Sequence, residues 1–183
     1  MSRLASMAAA GVVLPDLPGG HPFDAEIEAE RVGWAELVDL VDSLDPDELA
    51  RPGYYRRPDW SVIDVVAHIG MWLAEAGIQL ERIMAGTYER AEVDIDALNA
   101  EFRAGMHGQP WSVVLTQAQA SRNRMLEVWC SLPTRDEDAA WWVAKAGAQH
   151  YRDHVGRLRA WVLELHRGRT KTPRAPAVTQ GSS

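Results

Sequence analysis

Residues 60–80 read WSVIDVVAHIGMWLAEAGIQL, and they predict a long helix that is buried on one face. Apolar side chains recur there at steps of three and four, the spacing of one face of an α-helix. The residues on that face are Val65, His68, Trp72, Ala76 and Leu80. Ser61 suits the N-cap, and Asp64 three residues later gives an acidic variant of the capping box. We therefore expect a core helix that continues to about residue 84 and carries a histidine on its inward face.

A second helix with inward histidines is predicted near the C-terminus, where residues 147–158 read GAQHYRDHVGRL. His150 and His154 are four residues apart, so their side chains project from the same face of a helix. The same face continues at helical steps with Val143, Gly147, Leu158, Trp161 and Leu165. Both imidazoles are therefore expected to enter the core, as is His68.

The rest of the chain predicts two more long helices and no sheet. Apolar spacing places helix one at about 24–44 and helix three at about 111–131, with Ser112 as a candidate N-cap. Helix two is the stretch quoted first, and helix four spans about 136–166. A further short helix is allowed at about 94–103. The prediction is an all-α four-helix bundle with a long crossover between helices two and three.

Composition limits the classes of partner. The 183 residues suit one domain, and their net charge of −7 argues against nucleic-acid binding, which needs a basic surface. The charge also disfavours a polybasic membrane anchor, and we find no apolar run of the roughly 18 residues that span a bilayer. Cys130 is the one cysteine, so an intrachain disulfide and a cysteine-rich metal site are excluded. We expect a small-molecule substrate, no nucleic acid and no membrane, and leave homodimer formation open.

The two ends of the chain differ from its centre in composition. Residues 1–22 are rich in proline and glycine, and residues 169–183 have low hydrophobicity with two prolines. We predict a flexible tail at each end of a single domain at 23–168. The N-terminal alanine-rich run lacks a convincing cleavage site for a signal peptide, so the expected location is cytoplasmic.

The three inward histidines allow two interpretations. A single buried histidine is ordinarily a core residue with a hydrogen-bond partner, whereas two histidines four residues apart would repel each other if both were protonated. Neutral imidazoles are good zinc ligands, and helical bundles build metal sites from inward side chains on facing helices. Three nitrogen ligands would leave one coordination position open, which is typical of a catalytic site. Spacing alone supports a metal site and a set of structural histidines equally.

Two carboxylates are weaker candidates for catalysis. Glu75 falls on nearly the same helix face as His68, two turns further on, and would serve as a general base or orient a metal-binding imidazole; a solvated carboxylate is the alternative. Asp153 flanks the histidine pair and would orient an imidazole, or would form a surface ion pair with Arg157. The remaining histidines receive no metal role: they are His21, His107 and His166. His107, in the loop GMHGQP, would lie at the mouth of a pocket or be an exposed loop histidine.

The segments WSVIDVVAHIGMW and HYRDHVGRLRAWV, in this order and separated by a long gap, resemble the DinB-like superfamily. That group includes the DinB/YfiT-type metal-binding proteins and the N-terminal domain of mycothiol-dependent maleylpyruvate isomerase. The resemblance covers about residues 24–168. It implies a four-helix bundle in which a divalent metal, zinc first and nickel or iron as alternatives, is held by His68, His150 and His154.

The resemblance also implies a function, because the family includes enzymes that use a low-molecular-weight thiol. It implies a metal-dependent S-transferase in which the metal stabilises a thiolate, mycothiol being one candidate thiol, that attacks an electrophilic small molecule. The maleylpyruvate isomerases carry a second domain and a carboxylate at the position of His150, so that particular isomerisation is not expected here. The alternatives are a thiol-independent metal-dependent hydrolase or isomerase, and a metal-free bundle that binds a small ligand.

Overall fold

The computed structural model describes residues 21–56 and 59–171, and within these ranges it contains seven helices and two short strands. The helices are α1 (Asp24–Asp42), α2 (Pro46–Leu49), α3 (Val62–Met84), α4 (Ile95–Met106), α5 (Trp111–Cys130), α6 (Glu137–Ala146) and α7 (Ala148–Lys171). The strands are β1 (Tyr55–Arg56) and β2 (Asp59–Trp60). The predicted all-α class is confirmed. Helix α3 packs most extensively against α5, α1 packs against α7, and α6 contacts both α3 and α7.

Helix α3 begins as its sequence predicts. The Ser61 hydroxyl accepts a hydrogen bond from the Asp64 amide at 3.2 Å, and the Asp64 carboxylate accepts one from the Ser61 amide at 2.8 Å, which completes the capping box. Gly70 lets α5 approach closely, because a Cβ there would lie 2.9 Å from the Ala118 Cα. By length and composition alone α3 is able to cross a membrane, but 61% of its most apolar window is buried inside the protein. Packing against α5 therefore accounts for its apolar character.

The prediction of no sheet is wrong at one place, where β1 and β2 form an antiparallel pair that matches Tyr55 with Trp60 and Arg56 with Asp59. The backbone amides of Gly53 and Tyr54 both bond to the Trp60 carbonyl, at 3.1 and 2.8 Å. Gly53 adopts φ +110°, which favours glycine. Strands of two residues are too short to show an alternating pattern. Their effect is to hold Tyr54 and Trp60 beside the start of α3.

The prediction of one continuous helix over 136–166 is also wrong, because the chain leaves helical geometry at Gly147, with φ −105° and ψ −118°. Helix α6 ends at Ala146 and α7 begins at Ala148. A Cβ on Gly147 would lie only 2.7 Å from the Val143 carbonyl oxygen and 3.3 Å from Cγ of Glu30, so this break requires glycine. Helix α5 differs in its start as well, since Pro110 and not Ser112 occupies its N-cap.

The described structure extends a few residues beyond both ends of the predicted domain, 23–168. Nε2 of His21 lies 3.2 Å from the Cys130 carbonyl oxygen, and Phe23 is fully buried with its ring edge-on to Trp129 at 5.7 Å. Phe23 lies inside the predicted domain, whereas His21 belongs to the predicted tail and is partly buried against the end of α5. Helix α7 reaches Lys171, inside the predicted C-terminal tail. The rest of the two predicted tails, residues 1–20 and 172–183, lies outside the described residues.

A buried ion pair joins three helices. The Arg122 guanidinium of α5 donates two hydrogen bonds of 2.7 Å to the carboxylate of Glu30 on α1. The Tyr151 hydroxyl of α7 donates a third, of 2.9 Å, to the same carboxylate. The guanidinium also lies over the ring of Trp34, 4.9 Å from its centroid. Because this ion pair is bidentate and buried, the network holds the first turn of α7 in place.

Candidate metal centre

Three histidines from two helices converge in the core. Helix α3 carries His68, and α7 carries His150 and His154 one turn apart. Nε2 of His150 lies 3.1 Å from Nε2 of His68 and 3.0 Å from Nε2 of His154. One ring nitrogen from each histidine lies within 4.8 Å of the other two. His150 and His154 are each 8% exposed, and His68 is partly buried.

Hydrogen bonding alone does not account for this arrangement. Nε2 of a neutral imidazole has either one proton or one lone pair, so at most one of the two close contacts of His150 is a hydrogen bond. Tetrahedral zinc with bonds of about 2.0–2.1 Å places its nitrogen ligands about 3.3–3.4 Å apart. The two separations from Nε2 of His150, 3.1 and 3.0 Å, are near that value. The group is therefore suited to hold a metal ion, whose identity the geometry leaves open.

Burial sets the protonation state of the three imidazoles. It lowers the pKa of His68 to about 3, with a smaller contribution from the charge of His154. It lowers the pKa of His154 to about 4, against the opposing effect of the Asp153 carboxylate. The pKa of His150 is well below its usual 6.5, through burial first and then the charges of His154 and His68. All three rings are neutral at pH 7, which is the form that binds metals.

Aromatic side chains enclose the histidines. The Trp60 ring lies edge-on to His68 with centroids 5.3 Å apart, and the Trp72 ring is edge-on to His150 at 6.0 Å. The Tyr54 hydroxyl donates a buried hydrogen bond of 3.0 Å to the His154 carbonyl. Tyr54 and Trp60 lie in the segment of the two short strands. The helical spacing of apolar residues therefore did not indicate that they enclose the site. Together these groups shield the imidazoles from solvent on the sides that they cover.

The two candidate carboxylates lie elsewhere. Glu75 accepts a hydrogen bond of 2.6 Å from the Gln79 side chain and lines a separate open cavity with Gln79 and Arg82. Asp153 is exposed, and its link to the site is the effect of its charge on His154. Arg157, its suggested ion-pair partner, bonds instead to the Tyr54 carbonyl at 3.0 Å and to Glu164 at 3.2 Å. A catalytic role for either carboxylate stays a prediction.

The approach to His68 is narrow and is lined by the last turn of α4. A cavity of about 10 Å³, enough for a single water molecule, lies between His68 and the last turn of α4. The side chains around it are Trp60, Asp64, Ala67, His68, Phe102, Arg103, Met106 and His107. Nδ1 of His107 lies 2.9 Å from Oδ1 of Asp64, and the Trp72 indole donates a hydrogen bond of 3.0 Å to Asn99 of α4. His107 therefore lies at the mouth of this cavity, one of the two positions that the sequence allowed for it. Arg103 is a site residue that sequence reasoning missed, because its approach to α3 is a tertiary contact.

Comparisons with known proteins agree with this structure. The family model described as the mycothiol maleylpyruvate isomerase N-terminal domain matches residues 31–168. The crystal structure of an uncharacterised protein from Escherichia coli UTI89 is similar, with a TM-score of 0.66 and 14% sequence identity over 80% of this chain and 95% of that chain. At that identity the likeness shows the fold alone, and it supports the predicted DinB-like fold. No curated protein matches the chain.

Proposed function

Because the chain belongs to the mycothiol maleylpyruvate isomerase N-terminal domain family, within the DinB-like superfamily, we propose that it is a metal-dependent S-transferase. It would join a low-molecular-weight thiol, with mycothiol the first candidate, to an electrophilic small molecule. The observation that carries the proposal is the buried convergence of three histidine nitrogens within 4.8 Å. His68, His150 and His154 would hold the divalent metal, zinc first and nickel or iron as alternatives.

The electrostatics of the site favour a thiolate as the ligand. Three neutral imidazoles leave the charge of a divalent ion uncompensated, in surroundings that the Trp60 and Trp72 rings keep apolar. An ion bound there would favour the thiolate form of a thiol at neutral pH. The protein itself would hold the three imidazoles neutral and fix their orientation. It would also exclude water, so that solvent does not weaken the attraction between the ion and the thiolate.

The chain's own thiol does not fit the role of nucleophile. Burial raises the pKa of Cys130, with a further contribution from the charge of Glu30. Cys130 ends α5, and it is absent from the side chains that line the cavity at His68. The thiol is therefore expected to come from a separate molecule, which agrees with a thiol co-substrate.

The proposal has consequences for partners and location. The substrate would be a small electrophile, and the net charge of −7 supports neither a nucleic-acid partner nor an anionic membrane surface. We propose a cytoplasmic location, where low-molecular-weight thiols are reduced, and we leave formation of a homodimer to measurement of the mass in solution.

Elemental analysis of the purified protein tests the metal, and a thiol panel tests the reaction. We expect about one equivalent of divalent metal in the wild type and its loss in His150→Ala and His154→Ala, with retention in His166→Ala on the same helix as the control. Reaction with 1-chloro-2,4-dinitrobenzene should then require both the metal and an added thiol. No bound metal after repletion would contradict the proposal, and metal-dependent turnover without any thiol would favour a hydrolase or isomerase.

A further inference from the structure

Helix α4 places an arginine at the entrance of the histidine centre. Arg103 lies in the last turn of α4, is half-buried, and lines the same small cavity as His68. Its guanidinium carbon is 5.6 Å from the centroid of the Trp60 ring. The Trp60 ring also contacts the His68 ring, with centroids 5.3 Å apart. A guanidinium, an indole and an imidazole thus follow one another along the wall that leads to the metal-binding nitrogens.

Arg103 differs from the other arginines that are withdrawn from solvent. Arg122 pairs with Glu30 at 2.7 Å, and Arg157 pairs with Glu164 at 3.2 Å. Among the side chains that the structure describes, no carboxylate oxygen lies within 4.0 Å of the Arg103 guanidinium, and the group that it contacts is the Trp60 ring. A partly desolvated cation is stabilised by an anionic partner, so this position is prepared for one.

The carboxylate that shares the cavity is already committed. Oδ2 of Asp64 accepts hydrogen bonds from the Ser61 amide at 2.8 Å and the Ser61 hydroxyl at 2.6 Å. Its Oδ1 lies 2.9 Å from Nδ1 of His107. Asp64 therefore serves the cap of α3 and the contact with α4, and the donors of Arg103 remain for a molecule that enters the cavity.

The helix dipole does not by itself explain the position of Arg103. A cation in the last turn of a helix is favourable in general, and Arg82 occupies that position in α3. Arg82 is exposed and lines the separate cavity at Glu75. It has the same charge and the same place in its helix, without the indole and without His68, which makes it a matched control.

We propose that Arg103 is an anion-binding group of this centre and that the molecule admitted to the histidines carries a carboxylate. The inference rests on the proposed function, because it concerns the ligand of the same site. A planar guanidinium binds a carboxylate through two parallel hydrogen bonds, and the cation–π contact with Trp60 holds the Arg103 guanidinium beside the route to His68. On a chain of net charge −7, a local cation at the entrance selects anionic over neutral ligands.

Two aromatic thiols of equal size test the inference on the full chain loaded with Co²⁺. The probes are 4-mercaptobenzoate and 4-mercaptobenzamide, whose para substituent is unable to reach the ion that binds the sulfur. Binding is followed by the thiolate-to-cobalt absorption band, after the cobalt content of each variant has been measured. We expect the wild type and Arg82→Gln to bind the benzoate roughly tenfold more tightly than the amide, as one charge-assisted pair implies.

The Arg103 variants should remove the preference without removing the site. Arg103→Gln is expected to bind both probes with the affinity that the wild type has for the amide, and Arg103→Lys to recover part of the preference. Equal binding of the two probes by the wild type would overturn the inference and leave the proposed function intact. Loss of both probes in cobalt-loaded Arg103→Gln would also overturn it, since Arg103 would then be structural. If the cobalt-loaded wild type binds neither probe, the inference is overturned. If it also binds no thiol of the panel, the proposed function is overturned too.

Discussion

The Tyr151 hydroxyl donates a buried hydrogen bond of 2.9 Å to Glu30, and Tyr151 directly follows His150 in the chain. Through this bond the first turn of α7 is tied to α1, and through Arg122 it is tied to α5 as well. The buried ion pair therefore helps to set the position of His150, the neighbour of Tyr151 in the first turn of α7. The metal centre and the buried ion pair are two parts of one packing arrangement.

Removal of the Glu30 charge should destabilise the protein strongly. Glu30→Gln leaves the Arg122 guanidinium buried without its counter-charge, so we expect the free energy of unfolding in urea to fall by about 3–5 kcal/mol. Glu36→Gln is the control, since Glu36 lies on the same helix with its side chain 41% exposed and pairs with Arg159 at the surface. That variant should change stability by less than about 1 kcal/mol. Equal effects of the two substitutions would show that the buried pair has no special weight.

The metal-free protein should lose stability as the pH falls below about 6.5. Folding lowers the pKa of His68 to about 3 and that of His154 to about 4, so the unfolded chain binds more protons than the folded chain in this range. The free energy of unfolding then decreases as the pH falls, by up to about 1.4 kcal/mol per pH unit for each histidine. Urea titrations in the presence of a chelator between pH 7 and pH 4 measure the slope. In His68→Gln the slope should be shallower, and an unchanged slope would contradict the assignment.

Loosening of α4 should speed the loss of metal. Asn99→Ala removes the hydrogen bond from the Trp72 indole, one of the contacts that hold α4 against α3. One such bond corresponds to an increase of about two- to tenfold in the rate of metal removal by an external chelator. Asn123→Ala on α5 serves as the control, because Asn123 is outside the cavity at His68. Equal rates in the two variants would show that α4 does not limit access.

The break between α6 and α7 should depend on Gly147. In Gly147→Ala the added methyl group would lie 2.7 Å from the Val143 carbonyl oxygen, so we expect a loss of about 1–3 kcal/mol in stability and weaker metal binding through displaced His150. Gly156→Ala in α7 has no neighbouring atom within 4 Å and should stabilise the helix by about 0.5–1 kcal/mol. Thermal unfolding of the two variants measures the contrast, and a shift of the same sign in both would contradict the explanation.

Local sequence signals predicted the elements that depend on local chemistry. Ser61 and Asp64 placed the start of α3 correctly, and the step of four between His150 and His154 placed both imidazoles on the inward face. The break at Gly147 was not predicted, because the apolar face continues through it at helical spacing. The steric reasons, the Val143 carbonyl oxygen and Glu30 on another helix, appear only in the folded chain. Glycine inside a helix pattern is also commonly tolerated.

Local sequence patterns did not predict which residues surround the histidines, for a similar reason. Tyr54 reaches the His154 carbonyl across 100 residues of chain, and His107 reaches Asp64 across 43. Such contacts follow from the packing of whole elements, and their residues are unremarkable in the sequence. The histidines were identifiable because three of one chemically distinctive type share inward faces, whereas an arginine in a linker helix resembles any surface arginine.

The edge-on contacts of Trp60 with His68 and of Trp72 with His150 give the centre a built-in optical reporter. Indole emission is quenched by a protonated imidazole and by an open-shell ion, whereas closed-shell zinc leaves it bright. Two of the eight tryptophans are therefore sensors of what the histidines hold, and titration with zinc and with nickel should change fluorescence by different amounts. The occupancy of the site can be read in solution without any added dye.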